Sequence, residues 1–520
     1  MTNILLITAD QWRGECLSAL RHPVVRTPQL DALAADGVLF RNHFAQCVPC
    51  GPSRASLLTG TYLMNHRSVG NGTPLDSRFT NIALEMRRAG YEPSLIGYTD
   101  TSADPRSRDP RDPLVARYEG VLPGFREIVP GSELHYAWAR SLAAKSYALP
   151  PAGSDFYRWF TPEPTPSDSG PTRAAARYKA EDSDTAFATD RAIEFVTHSV
   201  RRPWFLHLSL LRPHPPFVAP APYNALYGPE EVSWIRGAAS PEAEAALHPH
   251  VAHVLRHHYA FDGHDPARHP AEEGAIRQLR ATYYGLMSEV DDNLGRLFAA
   301  LRAQGQYDDT LIVFTSDHGE QLWDHWMLGK SSFFDQSVQV PLIVNPPVSL
   351  GGTAKGHIVS AFTESVDVMP SVLEAVGLEA PLQCDGESLL PFLCGAAPKD
   401  WRQQVHWEID FRDVYHRRAE RDLGIPLDLC SLSVVRDECY KYVYFAALPP
   451  LLFDLRDDPD ERIDRAADPA LARTQLDYAQ SMLSWRLAHA ERTLTGIRLV
   501  AKGPHEVPRS DRLHAYRPSA

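Results

Sequence analysis

Three short clusters of polar residues carry the chemistry open to this chain. Asp10 follows the apolar run Ile4 to Thr8, and Asp317-His318-Gly319 follows Leu311 to Thr315. A divalent cation needs hard oxygen ligands, accepts an imidazole, and does chemistry when one side stays open to substrate. Two aspartates and a histidine at two strand ends supply that set. The third cluster is Cys50-Gly51-Pro52-Ser53-Arg54. Pro52 starts a helix, which leaves position 50 at the helix's N-terminal end, where unpaired N–H groups and the dipole favour anions. Arg54, one turn in, can reach back to hold a nucleophile and an ester oxygen. His214, in Arg212-Pro213-His214-Pro215-Pro216, is fixed by prolines on both sides after a strand, a placement that suits a general base. Lys330, shortly after the Asp317 cluster, can bind a nonbridging oxygen or assist a leaving group. Taken singly, each has a plainer meaning: Cys50 a buried thiol, Asp10 a helix cap, Asp317-His318-Gly319 a turn, Arg54 a surface ion pair, Lys330 a solvated cation. His43, His66 and His325 read as structural.

The elements that must position these residues are short apolar runs ending abruptly in polar ones, which is how buried parallel strands read. Ile4 to Thr8 ends at Asp10-Gln11, Ser94 to Gly97 at Tyr98-Thr99-Asp100, Trp204 to Leu210 at Arg212-Pro213-His214, and Leu311 to Thr315 at Asp317-His318. Between them lie helical patterns. One has Thr27 as N-cap, Pro28 in the first position, Leu30 and Leu33 on one face and Gly37 as stop. Another spans about Tyr283 to Leu301, with Met287, Val290, Leu294, Leu297 and Leu301 at helical spacing. Alternation of this kind predicts an α/β fold: a large, mixed, mostly parallel sheet sandwiched by helices, with ligands bound beyond the carboxyl ends of its strands.

Segment 101–180, dense in Pro, Arg, Asp and Ser, reads as insertion loops around that rim. Strand-like runs at Gln404 to Ile409, Leu432 to Arg436 and Lys441 to Phe445, then a helix near Leu471 to Ala490, predict a smaller antiparallel sheet domain. The expected division is 1–398 for the catalytic domain, 399–490 for the C-terminal α+β subdomain and 491–520 for a polar tail, either an oligomerisation arm or disordered.

At 520 residues, 44% hydrophobic and net charge −13, the chain has ample core, and no Lys/Arg-rich block stands out. Nucleic acid is therefore an unsuited partner. No apolar run has the length needed to span a bilayer, and the start of the chain, lacking a basic leader and a cleavage site, reads as the first strand. Seven cysteines spread over this length form no disulfide framework. These features predict a cytoplasmic protein.

The run Cys50-Gly51-Pro52-Ser53-Arg54-Ala55-Ser56-Leu57-Leu58-Thr59-Gly60 resembles the signature at which sulfatases, a branch of the alkaline phosphatase superfamily, have a cysteine oxidised to formylglycine (3-oxoalanine). Val340-Pro341-Leu342-Ile343-Val344, Asp385-Gly386-Glu387-Ser388-Leu389, Leu452-Phe453-Asp454-Leu455 and Asp458-Pro459-Asp460-Glu461 extend the likeness. Cys47-Val48-Pro49-Cys50, Tyr62-Leu63-Met64-Asn65-His66-Arg67 and Ile96-Gly97-Tyr98-Thr99 look most like bacterial phosphonate monoester hydrolases. The resemblance implies a metal-dependent hydrolase that cleaves phosphonate monoesters and phosphodiesters and also aryl sulfates, with an arylsulfatase as the alternative. A two-metal phosphatase or mutase is a more remote one. It implies a gem-diol at residue 50, one hydroxyl attacking sulfur or phosphorus and the other expelling product.

By the same resemblance, Asp10, formylglycine-50, Asp317 and His318 hold one divalent ion per subunit, and this ligand set suits manganese, calcium or magnesium. Arg54, His214 and Lys330 become catalytic cations and base, while Gln11, Asn71, Tyr98 and Asp100 line the substrate. Asp100 departs from the pattern, standing where threonine is expected. There it would repel an anion, receive a substrate's cationic group, or point into solvent. Implied partners are a small anionic ester, a formylglycine-generating enzyme and further copies of the chain in a dimer or tetramer.

Overall fold

In the computed structural model, residues 2–507 are described except 118–119, 130–134, 152–153, 155, 162–169, 199–202, 262–263, 265, 268 and 351–353. Eight strands form the main sheet: β1 (Asn3–Ala9), β2 (Val38–Phe44), β3 (Pro93–Ile96), β4 (Arg126–Glu127), β5 (Phe205–Leu210), β6 (Thr310–Thr315), β7 (Leu342–Asn345) and β8 (His357–Glu364). Their order is β4-β3-β5-β1-β6-β7-β2-β8. Only β7 opposes its neighbours β6 and β2, so the other seven share a direction.

Alternation of side chains across the pleat divides the core in two. Leu5, Ile7, Leu206, Leu208, Ile312 and Phe314 pack with Leu279, Met287, Val290, Leu294 and Leu297 of the Glu273–Ala303 helix. On the other face Ile4, Leu6, Phe205, Leu311 and Val313 meet Leu57 and Leu58 of helix α2 below and Met369 and Val372 of the Val368–Ala375 helix. Each such buried side chain contributes about 1.5–3 kcal/mol. The long helix starts ten residues earlier than its apolar pattern suggested, because polar Glu273 to Thr282 still places Ile276 and Leu279 on the buried face.

Helix α1 (Pro28–Asp36) begins after Thr27 and stops at Gly37 as expected, but Thr27 does not cap it. Asp291 does, its two carboxylate oxygens accepting from Gln29 N and Leu30 N at 3.0 and 2.8 Å, while the Thr27 hydroxyl accepts from Ser18 N at 3.0 Å. Helix α2 spans Cys50–Thr59. Segment 101–180 is more than loops: β4 extends the main sheet, and Trp138 stacks on Phe160 at 5.3 Å within a small cluster that also holds Leu142 and Tyr178.

A second, antiparallel sheet has the order β12-β11-β10-β9, from β9 (Val405–Asp410), β10 (Ser431–Arg436), β11 (Tyr440–Phe445) and β12 (Leu451–Asp454), followed by the Ala472–Ala488 helix. It packs on the approach to α2, with Trp407 stacked on Phe44 at 5.8 Å and Glu408 accepting from Met64 N at 2.8 Å. Within the expected tail, Ile497–Val500 and Gly503–Glu506 form a hairpin with exposed apolar side chains. Residues 508–520 lie outside the described residues. Among the described residues no helix is long and apolar enough to cross a membrane, and none of the seven cysteines forms a disulfide.

Candidate active site

Co-directional strands deliver their carboxyl ends to one edge of the sheet. Asp10 follows β1, and Asp317 and His318 follow β6, which pairs directly with β1. The loop after β2 ends at Cys50, the first residue of α2. β3 leads to Tyr98 and Asp100 through Gly97, whose φ is +104° and where a Cβ would stand 2.1 Å from the Ser209 carbonyl oxygen. Only glycine permits that approach. β5 leads to Ser209 and His214.

At the centre lies Cys50 Sγ, 3.1 Å from His318 Nε2, 3.3 Å from Lys330 Nζ and 3.9 Å from Asp10 Oδ1. His318 Nδ1 donates to the Gly319 carbonyl at 2.9 Å, which leaves Nε2 as the lone-pair nitrogen facing the site. That nitrogen stands 3.7 Å from Asp10 Oδ1 and 3.8 Å from Asp317 Oδ2. One donor atom each from Asp10, Cys50, Asp317 and His318 falls within 4.8 Å of all the others, and all four residues are buried. Hard oxygens and an imidazole converging beyond hydrogen-bonding distance fit a divalent cation.

Arg54 holds this arrangement in place. Its Nε donates to Asp317 Oδ2 at 2.8 Å and Nη2 to Asp10 Oδ2 at 2.9 Å, while Nη1 donates to Ser209 Oγ at 2.7 Å and the Tyr98 carbonyl at 3.1 Å. At 1% exposure it is no surface ion pair, and its nitrogens orient the two carboxylates instead of reaching back over position 50. Burial opposes ionisation of Asp10, yet His214, Arg54, His318 and Lys330 prevail and hold its pKa well below the carboxylate range. The Cys50 thiol is driven the other way, well above its ordinary value, by burial and then by Asp10. The unmodified side chain is thus a protonated thiol at neutral pH, a poor nucleophile.

The remaining expected residues gather at the same edge in different capacities. Gln11, in left-handed backbone at φ 66°, accepts from Lys330 Nζ at 2.9 Å and aims the ammonium at Cys50. Tyr98 donates its hydroxyl to Asp10 Oδ2 at 2.6 Å and lies under Arg54, so it supports a candidate metal ligand. Asn71 Oδ1 accepts from Gly51 N at 2.9 Å, tying the first turn of α2. His214 is half-buried, with Nδ1 donating to the Pro215 carbonyl at 2.8 Å. Burial, then the Lys330 charge, lower its pKa to about 3, so its ring is neutral. Asp100 does not point into solvent: it is 3% exposed. His43, His66 and His325 bond to Thr363, Ser56 and Glu244 as structural residues do.

Two contributors escaped the sequence reading. Glu320 accepts from Gly329 N at 2.7 Å and Leu322 N at 2.8 Å, and also from the Gln11 amide, bracing the loop that carries Lys330. Ser209 anchors Arg54. Glu320 lies two residues beyond His318, a usable signal, whereas Ser209 alternates within a strand and gives none.

The family described as Sulfatase matches residues 2–378, and N-sulphoglucosamine sulphohydrolase, C-terminal, matches 323–488. A multifunctional alkaline phosphatase superfamily protein, PehA of Trinickia caryophylli, is 47% identical over 512 residues, covering 96% of this chain and 98% of its own. The crystal structure of phosphonate monoester hydrolase of Agrobacterium radiobacter superposes with a TM-score of 0.91 at 44% identity, over 98% of this chain and all of that one. The phosphonate monoester hydrolase of Silicibacter pomeroyi does so at 0.90 and 42%, over 98% and 100%. With the sheet, the rim and these matches in agreement from end to end, the chain belongs to the sulfatase family of the alkaline phosphatase superfamily.

Proposed function

We propose that the chain hydrolyses phosphonate monoesters and phosphodiesters, with sulfate esters as secondary substrates, using a formylglycine made from Cys50 and one divalent ion held by Asp10, Asp317, His318 and residue 50. The observation that carries this reading is the convergence on Cys50 Sγ of His318, Lys330 and Asp10 within 3.9 Å. The similarity to two phosphonate monoester hydrolases along nearly their whole length sets the order of substrates.

When bound, the cation supplies Lewis acidity that neutralises charge on the attacked anion. A hydrated aldehyde at residue 50, held beside His318, Lys330 and Asp10, would supply one hydroxyl as nucleophile and a second able to give up a proton. The encoded residues do the rest. Arg54 orients both carboxylates. Lys330, aimed by Gln11, binds a nonbridging oxygen where negative charge builds. Asn71 fixes the first turn of α2, whose N–H groups favour the anion. His214 Nε2, left as the lone-pair nitrogen because Nδ1 donates to a carbonyl, accepts the proton of the releasing step.

The same reading includes maturation by a formylglycine-generating enzyme and a cytoplasmic location, the latter supported by seven cysteines without a disulfide among the described residues. It also includes a dimer or tetramer, supported by exposed Leu494, Leu499 and Val500 near the C-terminal hairpin. Sedimentation of the purified protein checks the last point, a monomer counting against it. The central test is the mass of the peptide containing Cys50, together with kcat/KM for nitrophenyl phenylphosphonate and nitrophenyl sulfate. Conversion of cysteine to formylglycine and a higher efficiency for the phosphonate are expected. An intact thiol in fully active enzyme overturns the mechanism, and a much higher efficiency for sulfate reverses the order of substrates.

A further inference from the structure

Asp100 occupies left-handed backbone, φ 50°, on the loop after β3. A Cβ on Gly51 would stand 2.9 Å from the Asp100 carbonyl oxygen, so this residue packs on the first turn of α2, beside Cys50. Its carboxyl interacts electrostatically with Arg54, Asp10, Asp317, Lys330 and Cys50. Even so, Oδ1 is buried without a hydrogen-bond partner among the described residues. Arg54 is the obvious counter-ion, but its three nitrogens are engaged by Asp317, Asp10, Ser209 and the Tyr98 carbonyl. Lys330 Nζ is directed at Gln11 and Cys50.

A buried carboxyl oxygen lacking a hydrogen-bond partner is costly, and such atoms persist where something else completes them. Burial, with the neighbouring Asp10 and Asp317 charges, drives this one up to about 7 against the pull of Arg54 and Lys330. A plain phosphonate or sulfate ester brings only more acceptor oxygens to this corner, which an adjacent carboxylate repels. A substrate that also carries a cation a few bonds from its phosphorus would complete Asp100 with a charge-assisted hydrogen bond while its anionic oxygens face Lys330.

We propose that Asp100 makes the enzyme selective for zwitterionic esters, those with a primary ammonium near the phosphonate or phosphodiester group. The proposal rests on the hydrolase reading above and specifies its substrate class. It adds no covalent step, since the ammonium donates a hydrogen bond to Asp100 and leaves the cleaved bond unchanged.

The test compares nitrophenyl 2-aminoethylphosphonate with nitrophenyl propylphosphonate, which replaces the ammonium by a methyl group of similar size, in the mature, metal-loaded wild type and in Asp100→Asn and Asp100→Thr. The measured quantity is the ratio of kcat/KM, ammonium ester over propyl ester. About 10-fold or more is expected for the wild type, falling to about 1 in both variants, as one charge-assisted pair is worth that much. A wild-type ratio of one or less overturns the proposal, and that measurement needs no variant to fold. So does a ratio preserved in Asp100→Asn or Asp100→Thr. If the wild type cleaves neither ester while hydrolysing nitrophenyl sulfate, the phosphonate reading fails and carries this inference down with it. Equal cleavage of both esters removes the inference alone.

Discussion

Lys441, Asp335, Glu461 and Arg436, where the second sheet meets the Asp335–Val338 helix, form a group, buried at Lys441 and Glu461 and half-buried at Asp335 and Arg436, in which every charge touches an opposite one. Lys441 Nζ lies 2.6 Å from Asp335 Oδ1 and also contacts Glu461, and Arg436 Nε lies 3.0 Å from Asp335 Oδ2. The group at Cys50 has the same kinds of side chain and a different logic. There, His318 Nε2 stands 3.7 Å from Asp10 Oδ1 and 3.8 Å from Asp317 Oδ2, too far for hydrogen bonds, around a common point. The first network is complete and joins two parts of the fold, while the second is built with its acceptors facing inward, so a cation and an anionic ester are what complete it. Charges that pair only with one another mark a structural cluster, whereas acceptors that also converge on a shared point, as Asp10 and Asp317 do beside Arg54, mark a candidate functional one.

Breaking each group separately should separate activity from stability. Cys50→Ala is expected to lower kcat/KM by about 10³-fold or more with a thermal midpoint close to wild type, measured by steady-state kinetics and circular dichroism on the same preparation. Asp317→Asn keeps the shape but removes the charge, and a loss of about 10²-fold in activity is expected together with loss of bound metal after dialysis. Retained metal at full stoichiometry would contradict the assignment. Lys441→Met should do the reverse. Leaving Glu461 buried without its ammonium, while Asp335 keeps Arg436, costs about 3–5 kcal/mol, read from the urea midpoint, while kcat/KM per folded molecule stays within about threefold.

A third kind of buried charge sharpens the contrast. Glu289, on the Glu273–Ala303 helix, makes no ion pair among the described residues, and burial followed by Asp184 raises its pKa to about 8 against the weaker pull of Arg212. Its folded value lies above the unfolded one, so the folded state holds a proton that the unfolded chain releases above the ordinary glutamate value of 4.5. Its contribution is complete below that pH and is lost as pH climbs toward 8, by about 1 kcal/mol per unit. Glu289→Gln should flatten the pH dependence of the urea midpoint over that window, and an unchanged slope would mean Glu289 is ionised in the fold.

Much of the site was legible because buried strands announce their ends. Apolar runs stopping at Asp10, Tyr98, His214 and Asp317 placed those residues at one edge before any contact was known. What stayed hidden depends on partners far apart in the chain. Asp291 caps α1 across the core, a bond that local pattern at Thr27 cannot reveal. β7 runs against the sheet, and its four residues Leu342 to Asn345 look the same in either direction. Arg54 looked like a substrate contact because a helix turn brings it near position 50, yet Asp10, Asp317 and Ser209 take up its nitrogens.

The order of residue types along the chain by itself determined the alternating strands and helices, the run at Cys50 and the polar strand ends, since burial periodicity and short motifs are local properties. Tertiary structure alone decided which carboxylate oxygens face inward, that Tyr98 and Arg54 brace Asp10, and that Asp100 is buried beside the first turn of the helix that starts at Cys50. Those outcomes depend on how separate strands register against one another, and a difference of a few ångströms turns a metal ligand into an ion pair.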